Sequence, residues 1–116
     1  MFAYGKKYRE PLSTVIVLGE PNKDTVSKLH YILRTRGLNG LRVYVVKDSP
    51  SSRFLESLRD FIFSNHTYTL EVFTAEYEQL REIYEKEGDR IVSILVSDSN
   101  LVQYVPSILR NKLEAL

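Results

Sequence analysis

Two hydrophobic patterns alternate along this sequence, and their alternation is the feature that most constrains its fold. Short β-branched runs bounded by polar residues or glycine predict four strands, at 14–19, 41–46, 67–73 and 90–96. Apolar residues at helical spacing predict a helix after each strand, with the stripes Val26, Leu29, Ile32 and Leu33; Phe54, Leu58, Phe61 and Ile62; Tyr77, Leu80 and Tyr84; and Leu101, Val105, Ile108, Leu109 and Leu113. Because parallel neighbours need crossover connections, the sequence predicts an α/β protein with a three-layer, Rossmann-like βαβαβαβα fold around a four-stranded parallel sheet.

The order of the strands is predicted from the burial that each run implies. TVIVLG at 14–19 and RIVSILV at 90–96 are nearly continuous in apolar residues, which is typical of central parallel strands. TYTLEVF at 67–73 alternates apolar and polar residues, so the third strand is expected at an edge. This pattern favours the order 3-2-1-4 over the flavodoxin-like alternative, 2-1-3-4, in which the third strand is interior.

The chain is interpreted as one domain, residues 14–116, preceded by an N-terminal arm, residues 1–13. Pro106 interrupts the last apolar stripe. Because proline is tolerated in the first turn of a helix, the final helix is expected to begin near Pro106. Gly37 and Gly88 stand where two of the predicted helices should end.

Charge and composition exclude several classes of function. Sixteen basic and fifteen acidic residues leave a net charge of +1, which provides no overall field to hold nucleic acid or an anionic membrane. The lack of cysteine excludes disulfides, thiolate catalysis and the usual zinc frameworks. The apolar runs are far shorter than the roughly 20 residues that span a bilayer, so we expect no membrane association and a cytoplasmic location. Frequent Lys, Arg, Glu and Tyr without cysteine would suit a protein from a thermophile.

Acidic and amide side chains follow the first and fourth predicted strands. Ligands of open α/β sheets bind at the carboxyl ends of the strands, beside the point where the winding reverses, and in the order 3-2-1-4 this point lies between those two strands. The candidate metal or ligand residues there are Glu20, Asp24, Asp98 and Asn100. Their oxygen atoms suit Mg²⁺. The alternative is that Asp24 and Asp98 cap the elements that they precede, as acidic residues at such junctions often do.

The loop after the second predicted strand, KDSPSSRF, is a candidate anion site. The residues that could hold a phosphate are Ser49, Ser51, Ser52 and Arg53, together with free backbone N–H groups at a helix start. The loop has no glycine-rich cradle. The alternative interpretation is a helix start, with Ser49 as the cap and Pro50 in the first helical position.

Both termini carry apolar side chains that a domain of this size need not cover by itself. The candidate interface residues are Phe2, Tyr4, Tyr8, Leu113 and Leu116, and they predict a homodimer. Basic residues mixed with the aromatic residues of the arm could instead hold single-stranded nucleic acid by charge and stacking.

Two functions follow as hypotheses. The first is a small binding or assembly module without catalysis, whose ligand or partner the residues do not identify. The alternative is a metal-dependent phosphoryl-transfer or nuclease-like enzyme that uses the acidic residues after strands one and four. The first is preferred, because no third carboxylate or general base can be placed at the candidate metal site and no catalytic residue is assigned.

Overall fold

Six strands form one sheet in the computed structural model, which describes residues 2–3, 12–19, 23–46 and 69–115. They are β1 (Phe2–Ala3), β2 (Ser13–Leu18), β3 (Gly40–Val46), β4 (Thr69–Ala75), β5 (Ile91–Val96) and β6 (Leu113–Ala115), arranged in the order β1-β4-β3-β2-β5-β6. The second predicted helix, at 54–62, lies outside the described residues.

The predicted strand order is confirmed. β2 pairs in parallel with β3 on one side and with β5 on the other, and β3 pairs in parallel with β4. The four predicted strands therefore lie in the order 3-2-1-4, and the flavodoxin-like alternative is wrong. β6 adds a fifth parallel strand beside β5, with Ile94 opposite Leu113.

The expectation that the third predicted strand is outermost is wrong. β1 pairs antiparallel with the outer side of β4, with Phe2 opposite Val72 and Ala3 opposite Glu71. An uncovered strand presents unpaired N–H and C=O groups, and even a two-residue strand satisfies some of them. Of the polar positions in TYTLEVF that the structure describes, Thr69 is buried and Glu71 is half-buried, and the Glu71 carboxylate accepts a hydrogen bond from Arg42 Nε at 2.8 Å.

Helices cover both faces of the sheet, which confirms the three-layer α/β architecture. Helix α1 (Lys23–Thr35) packs on one face and helix α2 (Leu80–Glu87) on the other. The core on the α1 face contains Val15, Val17, Leu29, Ile32, Leu33, Leu41, Val43, Val45, Leu70, Val72 and Leu95. The core on the α2 face contains Ile16, Leu18, Tyr44, Val46, Ala75, Leu80, Ile83, Ile91, Ile94, Val96 and Val105. Among the described residues, neither helix has the length and apolar character needed to cross a bilayer.

The predicted final α-helix is absent from the described C-terminal residues. Two 3₁₀ helices, Ser99–Tyr104 and Ser107–Lys112, take its place and lead into β6. Pro106 divides them, because it has no N–H group for a continuous helical ladder. The last three described residues pair with β5 instead of continuing a helix.

The other short elements lie at the two ends of α2. A 3₁₀ helix, Tyr77–Gln79, precedes it and another, Gly88–Arg90, follows it. Gly88 is the C-cap of α2 with φ of 46°, and Gly37 follows α1 with φ of 62°. Both glycines therefore end helices as predicted, in a backbone conformation that glycine adopts without strain.

Candidate functional site

The carboxyl ends of β2 and β5 meet as predicted. Ser97 N donates a hydrogen bond to Leu18 O at 3.3 Å, so the segments after the two strands begin in contact. Gly19 has φ of 95°, and a Cβ at this position would clash with Ser97 Oγ and lie 2.7 Å from Leu101 Cδ1. The close approach therefore requires glycine, and the edge is closely packed where β2 ends.

Asp98 has the geometry of a cap. Its Oδ1 accepts a hydrogen bond from Asn100 N at 2.9 Å, and it is the N-cap of the 3₁₀ helix Ser99–Tyr104. The structure therefore brings Asp98 and Asn100 together through the Asn100 backbone rather than through two converging side chains. This contact matches the capping alternative for Asp98.

The candidate metal site and the candidate anion site both remain predictions. Asp24 is exposed in the first turn of α1, and Glu20 lies outside the described residues. Within residues 2–3, 12–19, 23–46 and 69–115, no group of three or more His, Asp or Glu side chains is arranged to hold a metal ion. The anion candidates Ser49, Ser51, Ser52 and Arg53 also lie outside the described residues.

The predicted interface residues are described in part. Leu113 is half-buried and packs against the core on the α2 face, so part of its apolar side chain is covered inside the fold. For Phe2 the structure describes the backbone, which lies in β1. Tyr4, Tyr8 and Leu116 lie outside the described residues.

A buried carboxylate, Glu87, organises the amino-terminal edge of the sheet. It is 1% exposed at the end of α2. Its oxygens accept hydrogen bonds from Tyr44 OH at 2.6 Å, Thr14 Oγ1 at 3.1 Å, an Arg42 guanidinium nitrogen at 3.1 Å and Arg90 Nε at 3.2 Å. We call these five residues the Glu87 network.

The charges of the Glu87 network stabilise one another. Burial is the largest influence on Glu87 and raises its pKa, but the hydrogen bonds from Tyr44 and Arg42 and the Arg42 charge outweigh it, so the pKa lies below its usual range. Burial lowers the pKa of Arg42, and contacts with Glu71 and Glu87 reverse this effect and leave it raised. Burial, with Glu87 beside it, raises the pKa of Tyr44 to about 12. The network therefore keeps Glu87 ionised and hydrogen-bonded, as a structural carboxylate would be.

A second polar cluster joins α1 to the last strand. Glu114 on β6 accepts a hydrogen bond from the buried Ser93 hydroxyl and forms an ion pair with Lys28 Nζ at 2.9 Å. Burial raises the pKa of Glu114, and these two partners outweigh it and lower the pKa below its usual range. The cluster holds β6 to the α1 side of the sheet.

Three tyrosines line a groove between α2 and the segment after β5. The tyrosine groove, as we call it, has a volume of 470 Å³ and is lined by Tyr77, Leu80, Arg81, Tyr84, Glu85, Gln103, Tyr104, Val105 and Pro106. The ring centroids of Tyr77 and Tyr104 lie 4.6 Å apart. Tyr84 OH donates a hydrogen bond to Tyr104 O at 2.9 Å, and burial raises the pKa of Tyr84 to about 12.

Two of the three large hydrophobic residues that are exposed in the described part of the chain lie in the segment after β5. Ile108 is 83% exposed and Tyr104 is 41% exposed, whereas Tyr31, the other large exposed hydrophobic residue of the described chain, lies on α1 across the sheet. In the sequence, Tyr77, Tyr84 and Ile108 stand in stripes that predict helices. The signal that could have marked a surface is the use of tyrosine at two positions of a short stripe, because tyrosine keeps a polar end in contact with water.

Comparisons with known proteins agree with the fold. No protein-family model matches the sequence, and no curated protein matches it. The crystal structure of a hypothetical protein from Sulfolobus tokodaii superposes with a TM-score of 0.58 and 16% sequence identity, covering 89% of this chain and 94% of that chain. At this identity the likeness concerns the fold: the chain shares its α/β architecture with that protein over nearly the whole length of both.

Proposed function

We propose that this protein is a binding or assembly module without catalysis, and that it binds its partner through the tyrosine groove. The observation that carries the proposal is the groove itself, a 470 Å³ depression with three tyrosine rings in its lining. Tyrosine supplies a large, rigid contact area and a polar end, and for this reason it is enriched at protein interfaces.

The margin of the groove also suits a protein partner. Arg81 and Glu85 line it, and their side chains are 90% and 70% exposed. An apolar centre with charged groups around it is the usual arrangement of an interface, in which the centre supplies affinity and the charges supply orientation.

The carboxylates with lowered pKa values have structural partners, which favours binding over catalysis. Glu87 is held by two arginines, a tyrosine and a threonine, and Glu114 is held by Ser93 and Lys28. The metal-dependent enzyme remains a hypothesis that depends on Glu20 and Asp98, and no contact within the described residues favours it.

Peptides selected from a random library against the immobilised protein test the proposed surface. We expect the selected peptides, added to ¹⁵N-labelled protein, to shift the backbone resonances of the segments that line the groove, and Tyr104→Ala to weaken their binding by roughly tenfold or more. The variant keeps the backbone carbonyl that Tyr84 uses. Tyr31→Ala, which changes an exposed tyrosine on the other face, is the matched control. Peptide-induced shifts confined to the carboxyl edge of the sheet, or equal binding by Tyr104→Ala, would refute the proposal.

Thermal melts with and without millimolar Mg²⁺ test the enzyme hypothesis. If Asp98 acts as a cap, Mg²⁺ leaves the midpoint unchanged and Asp98→Asn costs little stability, because Asn and Asp cap about equally well. A Mg²⁺-induced rise in the midpoint that Asp98→Asn abolishes would favour the enzyme, since a ligand stabilises a protein in proportion to its binding to the native state. Mg²⁺-dependent hydrolysis of bis(p-nitrophenyl) phosphate by the wild type, lost in Asp98→Asn, would also favour the enzyme.

A further inference from the structure

Ile108 projects from the surface next to the tyrosine groove. Pro106 lines the groove, and the chain passes from it directly into the 3₁₀ helix Ser107–Lys112, which carries Ile108. At 83% exposed, Ile108 is the most exposed of the large hydrophobic residues that the structure describes. An exposed apolar side chain therefore lies two residues along the chain from the lining of an apolar depression.

This arrangement is self-complementary. In a twofold dimer each surface meets a copy of itself, so a projection on one copy can fill the depression of the other while the reverse contact forms at the same time. Because both copies use the same surface, the contact is complete in a dimer and leaves no free surface of this kind for a third copy.

The charges beside the groove fit the same symmetry. Arg81 and Glu85 lie one helical turn apart on α2, both are exposed, and Arg81 Nε lies 3.5 Å from Glu85 Oε1 of the same copy. When two copies of α2 lie antiparallel about a twofold axis between these positions, Arg81 of each copy faces Glu85 of the other. The chain as a whole carries a net charge of +1, so there is little overall repulsion between copies.

We propose that the occupant of the tyrosine groove is a second copy of this chain, with Ile108 of each copy inserted among the tyrosines of the other. The inference rests on the proposed function, because it identifies the partner that the groove binds. It moves the predicted homodimer interface away from the termini, where Leu113 packs against the core, to the surface formed by α2 and the two 3₁₀ helices after β5.

Sedimentation equilibrium over a range of concentrations tests the contact. We expect the wild type to approach twice its mass of 13.5 kDa, and Ile108→Asp to raise the dimer dissociation constant by roughly tenfold or more. Ile108 is exposed, so the substitution leaves the fold intact. Tyr31→Asp is the matched control and should dimerise like the wild type. A wild type that remains monomeric up to about 1 mM, or an Ile108→Asp dimer as tight as the wild type, overturns the inference.

Charge exchange tests the antiparallel arrangement of α2. Arg81→Glu and Glu85→Arg should each weaken homodimerisation, because each places like charges opposite one another twice. An equimolar mixture of the two variants should dimerise more tightly than either alone, since both facing pairs then have opposite charges. A mixture that associates no better than the separate variants contradicts this arrangement.

The two proposals can fail separately. If selected peptides bind the groove of a protein that stays monomeric, the binding module stands and the second copy is excluded as its occupant. If neither peptides nor a second copy binds there, both proposals fail.

Discussion

At the scale of single residues, Glu87 occupies a position that would be costly without its partners. It lies at the end of α2, where the helix dipole disfavours a negative charge, and it is almost completely buried. Arg42 and Arg90 neutralise the charge, while Tyr44 and Thr14 satisfy further acceptor positions. The residue therefore connects α2 to both β2 and β3.

Replacing Glu87 with Gln tests this role. The substitution preserves the shape of the side chain, but it removes the charge that balances two arginines and turns one acceptor group into a donor. Arg42 keeps its ion pair with Glu71 and some contact with solvent. We therefore expect the free energy of unfolding to fall by about 2–3 kcal/mol, which is less than the most costly losses of a buried ion-pair partner. Urea denaturation of the wild type and of Glu87→Gln measures this difference in the free energy of unfolding.

Glu82→Gln is the matched control for this prediction. It changes an exposed carboxylate on the same helix, so its effect should be within about 0.5 kcal/mol. Equal stability losses in the two variants would mean that the Glu87 network contributes nothing specific.

At the scale of elements, the C-terminal segment shows how tertiary contacts override a local pattern. Its apolar residues recur at helical spacing, yet the segment forms two 3₁₀ helices and β6. Pro106 prevents a continuous helix, and pairing with β5 gives the last described residues backbone partners. Glu114 then joins β6 to Ser93 and Lys28, which lie on two other elements.

Glu114→Ala should loosen β6 specifically. The variant leaves the buried Ser93 hydroxyl without its acceptor and removes the ion pair with Lys28. We therefore expect the free energy of unfolding to fall by about 1–2 kcal/mol. Hydrogen exchange should become faster in Leu113–Ala115 and in the β5 residues that pair with them, while the β3 amides stay protected.

Glu78→Ala, which removes an exposed carboxylate before α2, is the control for β6 and should leave exchange unchanged. Unchanged exchange in β6 of Glu114→Ala would show that strand pairing alone holds the segment.

At the scale of the whole molecule, two carboxylates of the described residues have lowered pKa values and link the stability of the fold to pH. A carboxylate whose pKa is lower in the folded state than in the unfolded state stabilises the fold above its unfolded pKa. This contribution is lost as the pH falls through the folded pKa. Glu87 and Glu114 both belong to this class.

The protein should therefore lose stability on the acid side. We expect the thermal midpoint to begin to fall near the ordinary glutamate pKa of about 4.3 and to keep falling below it. In Glu87→Gln this acid decline should be shallower, because one of the two linked protonations is gone. Parallel pH profiles for the wild type and this variant would contradict the assignment of Glu87 to the acid transition.

The sequence by itself determined the α/β class and the order of the four main strands. Both follow from patterns within short segments: continuous apolar runs mark the buried central strands, and helical stripes between the runs require parallel crossovers. The capping alternative for Asp98 was also accessible, because its partner, Asn100, is two residues away. Each of these inferences needs information from neighbouring residues alone.

Tertiary structure decided the features that join distant residues. Glu87 meets Thr14 across 73 positions of sequence, and no local pattern predicts that contact. β1 and β6 are strands because β4 and β5 offer open edges, and their own two or three residues could not specify this. The tyrosine groove exists because Tyr84 and Tyr104, on segments either side of β5, come together when that strand enters the sheet. Hydrophobic periodicity shows which residues leave water, but the packing of whole elements decides which of them meet and which remain at the surface.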